Sequence, residues 1–154
     1  MRLWRITTRK WALDTLCDGA RLYGGRWNPV AFPVMYAGTT IEICALEKFV
    51  HLAGSAHPPL VLVAIDVPDD PALIFRPQIK ALPVDWADLP APASTQEFGR
   101  RWIESGRGLM LVVPSAIIPE SHNVVLNPRH PAFRDIRLEI AREFTFDARM
   151  FKSP

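Results

Sequence analysis

Eight of the chain's fifteen prolines fall from Pro58 to Pro92, and this clustering limits the possible folds more than any other feature. Proline lacks an amide hydrogen and its ring collides with the preceding helical turn, so a stretch interrupted this often is confined to extended connections and short turns. Apart from the apolar run Leu60 to Val67 near its start, regular structure has to come from either side of it. The chain has 154 residues, 49% of them hydrophobic and 22% charged. That length suits one domain whose core buries roughly 70% of the unfolded surface, and the composition excludes disorder for the bulk.

On the N-terminal side, Arg2 to Ile6 alternates charged with apolar residues, which predicts a half-buried strand with Arg2 and Arg5 on different faces. A short helix is expected near Trp11 to Cys17. Gly19 and the run Tyr23-Gly24-Gly25-Arg26-Trp27-Asn28-Pro29 follow as a loop. Val34 to Ala37 reads as a short buried strand ended by Gly38. Thr39 and Glu42 have the spacing of a capping box for a helix from about Thr40 to Leu52, with Gly54 as its stop. Leu60 to Val67 is continuously apolar and β-branched, as in a strand covered on both faces. Beyond the prolines, Ser94 and Glu97 suggest a second capping box opening a helix through Phe98, Trp102 and Ile103, closed by Gly106 or Gly108. Leu109 to Val113, Asn123 to Leu126 and Ile136 to Phe146 supply further strands. Helices and strands interleave irregularly, which predicts an α+β domain: a mixed or antiparallel β core with flanking helices. Neither G-x-G-x-x-G nor G-x-x-x-x-G-K-[ST] is present, which disfavours a doubly wound nucleotide fold.

No apolar run is long enough to cross a bilayer, and Met1 to Arg5 lacks the apolar core of a signal peptide, so the expected location is the cytoplasm and no membrane partner is expected. Cys17 and Cys44 have neither metal-like nor disulfide-framework spacing and read as small core residues of a reducing compartment. His51, His57, His122 and His130 form no H-E-x-x-H, so no metal is expected; without G-x-S-x-G a serine hydrolase is equally disfavoured. The net charge is +2, but 14 of the 18 cations are Arg. Arginine's planar fork suits phosphate and carboxylate, although a GC-rich genome produces the same bias.

Glu47 shares the helical face of Ile43, Leu46, Val50 and Ala53, while Lys48 turns away. A carboxylate on an apolar face needs a partner, which is His51 one turn later, a nearby Arg, a hydroxyl or a ligand. The Gly24 to Asn28 loop offers bare amides, a guanidinium and a large ring, which fits a phosphate beside a flat heterocycle; the competing interpretation is a tight turn with Trp27 in the core. Tyr36 either fills the core or presents its ring, and Arg5 demands an anion only if it points inward. Ser115 and Asn123 stand where strands meet turns, as site residues or as turn caps. His122 and His130 read as surface histidines.

Gly25-Arg26-Trp27-Asn28, Val34-Met35-Tyr36-Ala37, Ala45-Leu46-Glu47, Val113-Pro114-Ser115 and Asn123 to Pro128, in that order, resemble the RES-domain family, over residues 1–154. The resemblance implies an ADP-ribosyltransferase-like fold and a toxin of a type II toxin-antitoxin pair that binds NAD+ and breaks its nicotinamide-ribose bond. It places the name-giving residues at Arg26, Glu47 and Ser115, with Tyr36 and Asn123 also in the pocket. On that basis Glu47 would stabilise the ribosyl cation. Arg26, with Arg5, would hold the pyrophosphate. Tyr36 or Trp27 would stack on nicotinamide, and Ser115 and Asn123 would position ribose or carboxamide. The expected outcome is destruction of NAD+ by phosphorolysis or hydrolysis, with ADP-ribosylation of a cellular protein as the alternative and an RNA-binding or RNA-cleaving toxin as the alternative of another class. The scattering of arginines among acids argues against direct nucleic-acid binding. The implied partner is an antitoxin with a DNA-binding domain that blocks the site. Arg26 and Glu47 should then meet across one cleft.

Overall fold

A computed structural model describes residues 1–52 and 58–151. Gly54, the expected helix stop, lies outside the described residues. Seven strands form one sheet in the order β4-β5-β6-β2-β1-β3-β7: β1 (Arg2–Thr8), β2 (Met35–Gly38), β3 (Leu60–Asp66), β4 (Ile74–Phe75), β5 (Met110–Pro114), β6 (His122–Leu126) and β7 (Arg137–Phe144). Three α-helices accompany it among the described residues: α1 (Asp18–Tyr23), α2 (Ile41–Leu52) and α3 (Ala93–Ser105). Pairing is antiparallel except between β4 and β5, which makes the sheet mixed and the class α+β, as expected. Past β3, the proline-rich stretch holds only short 3-10 turns and the two-residue β4 among the described residues.

β1 runs beside β3 over seven register pairs but meets β2 at one, Trp4 with Gly38. The sheet is thus two half-sheets joined at a narrow neck. Side chains alternate across strands, so opposite partners share a face. Met35, Ala37, Val124, Leu126, Met110 and Val112 point to one side, with Leu3, Val61, Val63 and Ile65, under Ala12 and Cys17. On the other side Tyr36, Val125, Leu111 and Val113 pack beneath Trp27 and α3, and α2 covers Ile6, Leu60 and Leu62. Gly38 makes the close approach of α2 possible. A Cβ there would lie 2.6 Å from Cys44 Sγ and 2.7 Å from Ile43 Cγ2.

Local chemistry departs from the sequence expectations at three places. Residues 11–17 are not a helix, because the Asp14 carboxylate accepts from the amides of Leu16 (3.0 Å) and Asp18 (2.8 Å), an Asx arrangement that starts the helix only at Asp18. The hydroxyl capping α2 belongs to Thr40, which accepts from the Ile43 amide at 3.3 Å, whereas Thr39 donates to the His122 carbonyl. The second capping box is not formed: Ser94 donates to Asp85, and Glu97 is taken by Arg100 and Arg101. Gly106 does close α3, in the left-handed conformation at φ +61°.

Candidate active site

Three residues from three elements converge on the covered face of β5 and β6. Asn123 lies opposite both Gly38 and Val113, and Ser115 is two residues beyond Val113, so both point to the side from which α2 descends. Glu47 Oε1 accepts from the Ser115 hydroxyl at 2.8 Å and from the Asn123 amide at 2.5 Å. Oε2 accepts no hydrogen bond among the described residues. The carboxylate is therefore anchored through one oxygen and available through the other. His51, expected as the partner one turn later, instead places its ring nitrogen 2.7 Å from the Glu47 main-chain oxygen.

Ser115 is fully buried. Its oxygen also accepts from the amides of Ile117 (3.0 Å) and Ile118 (3.3 Å) while its proton goes to Glu47, so the hydroxyl is wholly committed. It orients the carboxylate and caps the turn after β5 at once.

Tyr36 stands two residues before Gly38 on the same face and supports the Gly24 to Asn28 loop on its hydroxyl. That hydroxyl accepts from the Trp27 amide at 2.9 Å and donates to Asn28 Oδ1 at 2.8 Å. Burial pushes its pKa above the ordinary tyrosine value, against smaller opposing effects of the Trp27 amide and the Arg26 charge. A Cβ on Gly25 would lie 2.6 Å from the Tyr36 hydroxyl, so glycine is required for the loop to sit this close. Fully buried Asn28 completes the turn by donating to the carbonyls of Ala20 (2.9 Å) and Phe32 (2.8 Å). Sequence reasoning left Asn28 without a role; the Asn-Pro step at the end of the glycine pair was the available signal.

Trp27 is 2% exposed and packs edge-on to Phe98, so its ring belongs to the core; Tyr36 is half-buried. Arg26 is on the Tyr36 side of the sheet, the side of Glu47. Its Nη1 donates to the carbonyls of Trp86 (2.7 Å) and Asp88 (3.0 Å), and among the described residues it has no carboxylate partner. Neither Arg26 nor Glu47 lines a groove of 630 Å³ along α3 floored by Phe75, Phe98 and Trp102, or a pocket of 170 Å³ beside Phe144 and Phe146.

Arg5, on β1 just past the neck, is not brought beside Arg26 as expected: alternation puts it on the face of Leu3 and Val63, the Cys17 side, opposite Glu47. It makes no hydrogen bond or ion pair among the described residues, and its half-buried guanidinium has its pKa lowered by loss of water. Lys48 does not turn out to solvent. It is half-buried and held below the usual lysine value, first by burial and then by the Arg5 charge. An unpaired guanidinium is costly to shield from water. Without ligand, Arg5→Met is expected to raise unfolding stability by about 1 to 2 kcal/mol, measured as the midpoint of urea denaturation.

The thiols of Cys17 and Cys44 are buried and pushed up to about 12, chiefly by loss of water, so neither is a nucleophile at neutral pH. His130 accepts from the Ala132 amide, and His122 is a half-buried residue at the start of β6. No helix among the described residues is long and apolar enough to cross a membrane.

The RES domain model matches residues 2–147. The sequence is 35% identical over 153 residues to Toxin Res of Yersinia enterocolitica, covering 97% of this chain and 99% of that protein. It is 36% identical over 156 residues to Prs ADP-ribosylating toxin of Sphingobium sp. strain YBL2, covering 97% of this chain and 96% of that protein. A chain in the crystal structure of the M. tuberculosis MbcT-MbcA toxin-antitoxin complex shares the fold with a TM-score of 0.71 at 22% identity, over 94% of this chain and 84% of that chain.

Proposed function

The chain belongs to the RES-domain family of toxins, and on that premise we propose that it binds NAD+ and breaks the nicotinamide-ribose bond, passing ADP-ribose to phosphate or water. The observation that carries this reading is the state of Glu47: one oxygen is fixed by Ser115 and Asn123, the other is without a partner among the described residues. When nicotinamide leaves with both electrons of the C–N bond, positive charge grows on the ribose. A preorganised carboxylate stabilises that charge more in the transition state than in the ground state. The same oxygen accepts a hydrogen bond from a ribose hydroxyl, and an acceptor oxygen then bonds to the carbon that nicotinamide vacated.

Arg26 is a guanidinium without a carboxylate partner among the described residues, which fits the negative charge of a pyrophosphate; Arg5, on the opposite face of the sheet, is not part of that grip. Arg26 keeps Nε and Nη2 for it while Nη1 is engaged by the main chain. Arg26→Lys is expected to weaken NAD+ binding about tenfold, because an ammonium cannot serve the two carbonyls and grip a phosphate together; titration calorimetry reads the change. Tyr36 supplies the ring against nicotinamide, and Ser115 acts through Glu47.

The name of the Sphingobium relative, Prs ADP-ribosylating toxin, favours a second reading in which the acceptor is a cellular protein. The residues around Glu47 serve either acceptor. A cognate antitoxin with a DNA-binding domain, covering the site, is the expected partner, supported by the fold's occurrence in a toxin-antitoxin complex. The deciding experiment incubates the purified protein with NAD+, with and without phosphate and with a cell extract. Free ADP-ribose or its 1″-phosphate indicates a small acceptor, a protein heavier by one ADP-ribose the second reading, and intact NAD+ in every arm removes both.

A further inference from the structure

Arg26 is aimed by a segment sixty residues away in sequence. The main-chain oxygens of Trp86 and Asp88 both accept from its Nη1, at 2.7 and 3.0 Å. Carbonyl groups hold a guanidinium in place without neutralising it, so the full positive charge remains for an anion. A carboxylate at the same place would fix the side chain and cancel it.

The segment is itself held. The Trp86 amide donates to the Pro83 carbonyl at 3.0 Å and the Asp88 amide to the Asp85 carbonyl at 2.9 Å. Leu82 and Trp86 pack into the cluster that contains Trp27 and Trp102. The link to a regular element is one side-chain bond, from Ser94 Oγ in the first turn of α3 to Asp85 Oδ1, at 2.6 Å. α3 then reaches the loop that carries Arg26: Gln96 Nε2 donates to the Gly25 carbonyl at 3.1 Å, and Gly99 faces the Trp27 main chain. The arginine's own loop and the carbonyls that aim it are thus referred to the same helix.

The N-cap of α3 is Pro92, which offers no side-chain cap, and Ser94 is already the second residue of the helix. The Ser94 hydroxyl is committed to Asp85.

We propose that Ser94 and Asp85 are positioning residues for Arg26: their hydrogen bond fixes residues 85–88 so that two carbonyls aim the guanidinium, and this sets the affinity of the site for the pyrophosphate-bearing half of the substrate. The proposal rests on the assignment of Arg26 to the pyrophosphate. Loss of the bond affects binding and leaves the chemistry at Glu47 alone.

The test compares the full chain with its Ser94→Ala and Ser94→Thr variants. Ser94→Ala raises KM for NAD+ about tenfold with kcat within about twofold, and Ser94→Thr, which keeps the hydroxyl, recovers most of the loss. A wild-type KM in Ser94→Ala, or a fall confined to kcat, overturns the proposal. A second readout needs no turnover. In ¹⁵N NMR of the ligand-free protein, rotation about the Arg26 Nε–Cζ bond is slowed in the wild type and in Ser94→Thr and becomes fast in Ser94→Ala. Identical rotation in all three overturns the positioning role. If the rotation changes while the wild type consumes no NAD+, the clamp stands and the NAD+ reading falls.

Discussion

Replacing Glu47 by Gln is expected to leave the fold intact and to lower NAD+ turnover by about 10² to 10³. The amide has nearly the shape of the carboxylate, and its oxygen still accepts from the Ser115 hydroxyl and the Asn123 amide, so the contacts that seat the side chain on β5 and β6 survive. What disappears is the negative charge opposite a developing cation. That charge acts in the transition state, so kcat falls while KM moves little. Single-turnover measurement of nicotinamide release, beside a thermal melt of the same variant, separates the two effects. Wild-type turnover in a folded Glu47→Gln protein would remove the carboxylate from the mechanism.

The largest expected effect on stability belongs to Gly99→Ala. In an exposed helix this exchange gains about 1 kcal/mol. Here the new Cβ would lie 1.7 Å from the Trp27 carbonyl oxygen and 2.6 Å from its carbon, atoms of a buried backbone that cannot swing aside. Either α3 or the Arg26 loop must retreat, giving up the packing of Trp27 on Phe98 and of Trp102 on β5. The cost is about 3 kcal/mol or more, a fall in melting temperature of roughly 6 to 12 °C for a chain of this size. Gly19→Ala is the matching control. It lies in α1 with nothing within 4 Å of its Cβ position, so the intrinsic helix preference acts alone and the variant melts slightly higher. Equal melting temperatures for the two variants would mean that α3 does not rest on the loop as described.

The sequence disclosed what depends on periodicity and punctuation. The apolar runs at Leu60 and Leu109 became strands, Gly106 ended α3, and past β3 the prolines confined the chain to short turns and the two-residue β4. Glu47 was conspicuous as a carboxylate on an apolar helix face, and Ser115 and Asn123 as polar residues where apolar strands meet turns. Their meeting at one oxygen was not legible, since it depends on β5 and β6 being neighbours in the sheet. Side-chain hydrogen bonds were read least well, because one residue type serves several partners. Asp14 could support a helix or an Asx turn, and Ser94 could cap α3 or hold Asp85; contacts outside the local window decided both. The same holds for Lys48, which helical spacing turned outward and the sheet's narrow neck partly covered.

That neck also governs how the molecule yields. With Trp4 and Gly38 as the one paired position between β1 and β2, the main chain does little to weld one half of the protein to the other. The splice is α2, which lies over both strands and whose Cys44 thiol reaches the Trp4 carbonyl at 3.1 Å. The helix that bears Glu47 is therefore also the brace. A molecule gripping Glu47 would tighten that brace across both halves, and amide exchange along β1 and β2 would slow together when it arrives.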